Sequence, residues 1–107
     1  MEYVSKELAL KYLLGNELIF NKVKDSFLES YQDCDKKIEE LISKHDFKDY
    51  ELYVHSLKGI SLNLGAEKLY NSAVANLDSI RKGLWNDALI ADFHKVLIST
   101  YQDLQSL

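Results

Sequence analysis

The sequence contains no proline and few of the residues that interrupt regular structure. Its 107 residues include four glycines and a single tryptophan. All-β domains need turn residues between many short strands, and this chain has too few of them. Long helices with short connections need far fewer, so the composition predicts an all-α fold.

The chain also has only one cysteine, no excess of basic residues and no long apolar run. The single cysteine, Cys34, cannot form a disulfide within the chain, which favours a reducing compartment. A formal net charge of −4 argues against a nucleic-acid binder. No run approaches the roughly 18 apolar residues of a membrane span, and the N-terminus has no apolar signal-peptide core. We therefore expect a soluble, cytoplasmic protein with no nucleic-acid or membrane partner.

The apolar residues that are present suffice for one core and recur at helical spacing. They make up 47% of the chain, and its length suits one domain, residues 1–107, rather than two. Capping residues and glycines divide them into helices. The apolar pattern weakens at residues 32–35, where the chain either bends or continues as one long helix. The predicted helices run from Ser5 to Gly15, from 17 to about 31 and on to about 44, from 47 to 64, from 66 to about 82, and from Asn86 or Asp87 onward. Connections this short favour an up-and-down bundle.

The most informative stretch lies within residues 55–66, where His55 is followed by Lys58 and Gly59. On a helix these spacings place all three on one face. A rotation of roughly 100° per residue puts Leu57 and Leu64 opposite His55. The apolar side of the helix is therefore the core side, and His55 is expected to face solvent.

These three residues suit phosphoryl transfer to histidine. A neutral imidazole nitrogen can attack phosphorus, and Lys58 supplies a compact positive charge for phosphoryl oxygens. Gly59 costs roughly 1 kcal/mol inside a helix relative to alanine. It leaves the imidazole uncovered and lets another backbone approach. The spacing thus predicts a phosphoryl carrier.

The same stretch has no means of using ATP. The chain has no glycine-rich phosphate loop, and no acidic cluster near His55 that holds Mg²⁺. We therefore expect no kinase activity, no cofactor and no metal site of its own, with any Mg²⁺ held by a partner.

A small docking patch is predicted around the histidine. Glu51, Leu52 and Leu62 share its side of the helical wheel, and exposed leucines beside an exposed histidine favour a partner-binding surface. Single exposed leucines are also common without any function. The adjacent His55, Lys58 and Gly59 favour docking.

The sequence also resembles a known family, the histidine-containing phosphotransfer (HPt) domains of multistep two-component phosphorelays. The resemblance covers essentially the whole chain, although Asp78 stands where the family often has glutamate. It is carried by His55-Ser56-Leu57-Lys58-Gly59, Asn63-Leu64-Gly65-Ala66 and Leu69, with Gly15-Asn16, Phe27-Leu28, Leu41 and Leu77-Asp78 fitting the family layout.

This resemblance implies an antiparallel up-and-down four-helix bundle with an additional short N-terminal helix. It implies phosphorylation of His55 on Nε2, with Lys58 steadying the phosphoryl group, Gly59 leaving room for the partner and Gly65 turning the chain out of the helix. The implied partners are receiver domains of response regulators or of a hybrid sensor histidine kinase, bound by a monomer. A free-standing protein and a domain of a larger kinase both fit.

Two other hypotheses remain. A non-catalytic interaction module would keep the bundle and bind a signalling partner without phosphate. A purely structural bundle would leave Gly59 unexplained. The other candidate residues have simpler interpretations: His45 as a solvated or helix-capping residue, His94 as a packing or surface residue, and Cys34 as an inert or partly exposed thiol. Their spacing matches no zinc motif.

Overall fold

The computed structural model describes residues 1–107 and contains helices and no strands. This confirms the predicted all-α class. None of the helices has both the length and the apolar character that a membrane span requires. The six α-helices are α1 (Lys6–Tyr12), α2 (Glu17–Ser30), α3 (Cys34–Lys44), α4 (Phe47–Ser61), α5 (Glu67–Arg81) and α6 (Asp87–Gln105), and a short 3₁₀ turn (Leu62–Leu64) follows α4.

Four of the helices begin at a side-chain cap. The side-chain oxygens of Ser5, Asn16, Asp46 and Asn86 each accept a hydrogen bond from the backbone N–H three residues on, at 3.0–3.2 Å. Each such cap is worth about 1 kcal/mol because it satisfies a helix-terminal N–H group. The predicted starts are confirmed, and Asn86 rather than Asp87 is the cap of α6.

The chain bends between α2 and α3. The helix ends at Ser30, and the backbone N–H of Cys34 then bonds the carbonyl of Tyr31 at 2.9 Å as α3 begins. Of the two sequence alternatives for residues 32–35, the bend is therefore right. At the other end of α3, His45 is the C-cap in left-handed backbone (φ 52°), which matches its predicted capping position.

The longest helices pack side by side. α4 lies against α5, α5 against α6, and α6 also meets α2 and α3. Ser72 Oγ donates to Asp92 Oδ2 at 2.8 Å, and one turn later Asn76 Nδ2 donates to the Leu89 carbonyl at 2.9 Å. The residue numbers rise on one helix as they fall on the other, so α5 and α6 run antiparallel.

The core side of α4 is the one that the sequence predicts. Leu57 and the following Leu64 are fully buried, whereas His55 is exposed. Five more residues on this side of α4 are also covered: Tyr50, Val54 and Ser61 are fully buried, and Tyr53 and Ile60 are half-buried. Burial without a charged neighbour raises the pKa of the Tyr50 hydroxyl above its usual range.

A polar contact inside the core fixes α4 against α5. The Tyr50 hydroxyl donates to Asn76 Oδ1 at 2.8 Å, and the Asn76 amide donates to the carbonyls of Ser72 and Leu89. No buried side-chain nitrogen or oxygen is left without a partner. Because Asn76 is almost completely buried, each of these bonds replaces one that water supplies in the unfolded chain.

Tyr50→Phe removes one hydroxyl and leaves the buried Asn76 Oδ1 without its donor. We expect a loss of about 1–3 kcal/mol in the free energy of unfolding, measured by urea denaturation. Tyr12→Phe is the matched control, because Tyr12 is about half exposed and its hydroxyl makes no hydrogen bond. Equal stability of the two variants would contradict the importance of this contact.

Candidate functional site

The three histidines have different surroundings, and only the ring of His55 is unpartnered. His94 Nε2 lies 2.7 Å from Asp35 Oδ1. His45 stacks on Trp85 with ring centroids 4.1 Å apart. The His55 side chain is exposed near the middle of α4 and makes no hydrogen bond, ion pair or ring contact. Its imidazole is therefore open to an incoming reactant.

Lys58 lies one turn further along α4 on the same side. Its side chain is half-buried and its ammonium group forms no ion pair, although five other cationic side chains besides His94 do so. The positive charge beside His55 is consequently not neutralised by an acid of this chain. It is free to face the oxygens of an anion held at His55.

Gly59 marks an open position next to the histidine. A Cβ atom placed on it would meet no atom of the chain within 4 Å. Close packing between helices therefore does not require glycine here, as the helical wheel predicts. The bare backbone at Gly59 is open to solvent.

Gly65 has a structural role that goes beyond the predicted turn. Its φ of 70° lies in the left-handed region, which favours glycine. A Cβ atom at Gly65 would also collide with the backbone carbonyl of Ser5. The backbone N–H of Ser5 in turn donates a hydrogen bond to the carbonyl of Gly65 at 2.9 Å. The sequence predicts the turn at Gly65, but it gives no sign that the N-terminal segment packs directly on it.

Three glycine substitutions separate these effects. Gly59→Ala should stabilise the protein by roughly 0.5–1 kcal/mol, because it adds helix propensity in open space. Gly83→Ala carries only the strain of a positive φ (77°), about 1–2 kcal/mol, since a Cβ there meets nothing. Gly65→Ala adds the clash with Ser5 and should cost more than Gly83→Ala in thermal unfolding. A Gly65→Ala variant as stable as Gly83→Ala would contradict the close approach.

The predicted docking residues are less uniform than the helical wheel suggests. Leu52 is 58% exposed, as expected. Leu62 is half-buried instead of exposed, because it opens the 3₁₀ turn on which α1 and α2 pack. Glu51 is also half-buried, and its carboxylate lies 3.0 Å from Arg81 Nε on α5. Of the three, Leu52 is the one whose apolar side chain is presented freely.

A groove on the flank of α4, whose lining includes Ser56 and Ile60 but not His55, Lys58 or Gly59, was not predicted. It has a volume of about 660 Å³ and runs between α2 and α4, with Ser56 next to His55 on one wall. Ser26 and Ser30 lie one turn apart on α2, and their side chains are too small to fill the space between the two helices. Its apolar lining consists of Val23, Phe27, Tyr31 and Ile60. The two serines at helical spacing were the available sequence signal for this groove.

One cluster of possible metal ligands is present, and it does not include His55. Asp35, Glu39 and His94 offer ligand atoms that all lie within 4.8 Å of one another. The sequence does not reveal this cluster, because 59 positions separate Asp35 from His94. Cys34 is buried, and burial raises the pKa of its thiol, which makes it a poor nucleophile.

Comparisons of the chain with models of protein families, with curated proteins and with solved structures found no match.

Proposed function

We propose that this protein is a phosphoryl carrier of the HPt type, which accepts a phosphoryl group on His55 from a receiver-domain aspartyl phosphate and passes it to another receiver domain. The exposed, unpartnered imidazole of His55 is the observation that supports this most directly. An unpaired ammonium group and a bare glycine on the next turn of the same helix add to it.

The proposal extends to the architecture, an antiparallel four-helix bundle with an additional short N-terminal helix. In it, α2 and α3 together form one member, α4, α5 and α6 form the others, and α1 is the addition. Support comes from α6: the Tyr101 hydroxyl donates to the Leu28 carbonyl at the end of α2, and His94 meets Asp35 at the start of α3. From His94 to Tyr101 the residue numbers rise along α6, whereas their partners fall from Asp35 to Leu28. The α6 helix therefore runs antiparallel to the segment formed by α2 and α3.

The transfer step needs few protein groups. The lone pair of His55 Nε2 attacks phosphorus, the bond from phosphorus to the aspartyl oxygen breaks, and the partner's carboxylate leaves. The reverse step returns the phosphoryl group to a second aspartate. Because phosphoryl transfer depends mainly on positioning and charge stabilisation, Lys58 beside the phosphoryl oxygens is the main contribution of this chain beyond the nucleophile. Mg²⁺ is expected on the receiver domain, and the carrier itself acts as a monomer without kinase activity.

The surroundings of His55 suit a protein as the phosphoryl donor. A receiver must bring its aspartate to the imidazole, so the surface beside the ring has to admit another backbone. Gly59 leaves that space open, Leu52 offers exposed apolar area, and the groove between α2 and α4 offers a recess. A small phosphate donor would need none of these features.

His55→Gln should abolish the transfer of acid-labile phosphate from a phosphorylated receiver domain, because His94 is paired with Asp35 and His45 lies at the opposite end of α4 from Lys58. The assay follows labelled phosphate from the receiver to this chain, with circular dichroism confirming unchanged helicity. His45→Gln is the matched control and should accept phosphate normally. Normal labelling of the His55→Gln protein would contradict the proposal.

Lys58→Ala should slow the transfer by about tenfold, which corresponds to about 1.4 kcal/mol in the barrier, without stopping it. The ammonium group has no partner within the chain, so thermal stability should hardly change. Lys58→Arg should restore part of the rate, and Lys48→Ala, at an exposed lysine near the start of α4, should leave it unchanged. An unaltered rate for Lys58→Ala would remove this residue from the mechanism.

The groove favours a second candidate, a non-catalytic module that binds a signalling partner between α2 and α4. It differs in its response to His55→Ala. If this candidate is right, His55→Ala still binds the partner, and the wild-type chain is not phosphorylated by any donor.

A further inference from the structure

The cluster of Asp35, Glu39 and His94 joins α3 to α6 and is not used by the proposed phosphoryl transfer. Asp35 and Glu39 lie one turn apart on α3, so their carboxylates share a face. His94, from the middle of α6, directs its Nε2 to within 2.7 Å of Asp35 Oδ1. The three side chains offer one nitrogen and two oxygen ligands from two different helices.

We infer that these three residues form a Zn²⁺ site that clamps α3 to α6. This inference does not rest on the proposed function. Zn²⁺ binds nitrogen and oxygen ligands at about 2.0–2.2 Å, which places tetrahedral ligand atoms about 3.4 Å apart. The ligand atoms here lie within 4.8 Å of one another, so shifts of about 1 Å suffice to close the site.

The parts of the site that must move are those that are free to do so. The side chain of Asp35 is 64% exposed, and Glu39 is exposed as well. The His94 side chain is only 27% exposed, so its ring is held by the neighbouring residues. A fixed nitrogen ligand and two adjustable carboxylates therefore face the same point.

Charge gives a second, independent argument for a cation. Neither carboxylate pairs with a lysine or arginine: Asp35 meets only His94, and Glu39 has no ion-pair partner. Like charges one turn apart on a helix destabilise it, and an imidazolium could balance only one of the two. A divalent cation bound to a neutral imidazole and two carboxylates balances both.

The ligand types select among divalent ions. Ca²⁺ and Mg²⁺ prefer all-oxygen sites, whereas imidazole suits Zn²⁺, Cu²⁺, Fe²⁺ and Ni²⁺. Among these, Zn²⁺ is the ion that binds histidine and carboxylate ligands in tetrahedral sites with water. Three protein ligands leave a fourth position for water. The site would then stabilise the contact between α3 and α6 by binding the folded chain in preference to the unfolded one.

The test is a titration of the metal-free full chain with ZnCl₂ by calorimetry, with thermal unfolding measured in parallel. We expect one Zn²⁺ per chain and a higher melting temperature that EDTA reverses. The His55→Gln variant should bind equally well, since the exposed imidazole of His55 is not a ligand.

Glu39→Gln is the decisive variant, because it leaves the pair of Asp35 and His94 intact while removing one ligand. It should weaken Zn²⁺ binding by about tenfold or more, since even outer-shell changes cost about 10–100-fold in affinity. Glu40→Gln is the matched control: Glu40 is the next residue, pairs with Lys44, and should not affect Zn²⁺ binding.

Three results would overturn the inference. They are no binding of Zn²⁺ to the wild-type chain at submillimolar concentration, unchanged binding in Glu39→Gln or His94→Gln, and loss of binding in His55→Gln. Unchanged binding in Glu39→Gln would mean that the chain holds Zn²⁺ without Glu39, so the three residues together would not form the site.

Discussion

The burial of one side of α4 is the constraint on which the rest of the structure depends. Val54 precedes His55 by one residue, Leu57 follows it by two, and neither has any exposed surface. Because each residue turns the helix by about 100°, their burial directs the side chain of His55 outward. The hydrogen bond between Tyr50 and Asn76 fixes the position of α4 along α5. The exposure of the histidine is thus a consequence of how the core is packed.

Two glycines that follow His55 in the chain, Gly59 and Gly65, have opposite surroundings. At Gly65 the space is filled by the chain itself, because the carbonyl of Ser5 lies where a Cβ would be. At Gly59 nothing fills it. Gly59 therefore weakens α4 without a packing contact in return, and the receiver contact that we propose would account for it.

The features that sequence predicted well depend on neighbours along the chain. Ser5, Asn16 and Asp46 cap helices through their own backbone three residues on, and helical periodicity fixes which way His55 faces. Both follow from local geometry, so they need no knowledge of the fold.

The features that sequence missed depend on distant elements. The half-burial of Leu62 arises from packing of α1 and α2 on the 3₁₀ turn, and the pairing of Glu51 with Arg81 joins α4 to α5. The approach of Asp35 to His94 likewise joins two helices that are far apart in the sequence. Periodicity describes one helix at a time and says nothing about which residues of another helix it meets.

The central claim is that His55 is the residue that carries the phosphoryl group. The most direct measurement is nitrogen NMR of the histidine rings after incubation with a phosphorylated receiver domain, with His45 and His94 as internal references. The account predicts a coupling between phosphorus and Nε2 in the His55 ring alone. Phosphate on a different histidine would contradict it. So would the absence of phosphate from all three histidines when the same receiver domain transfers its phosphoryl group to another, competent acceptor.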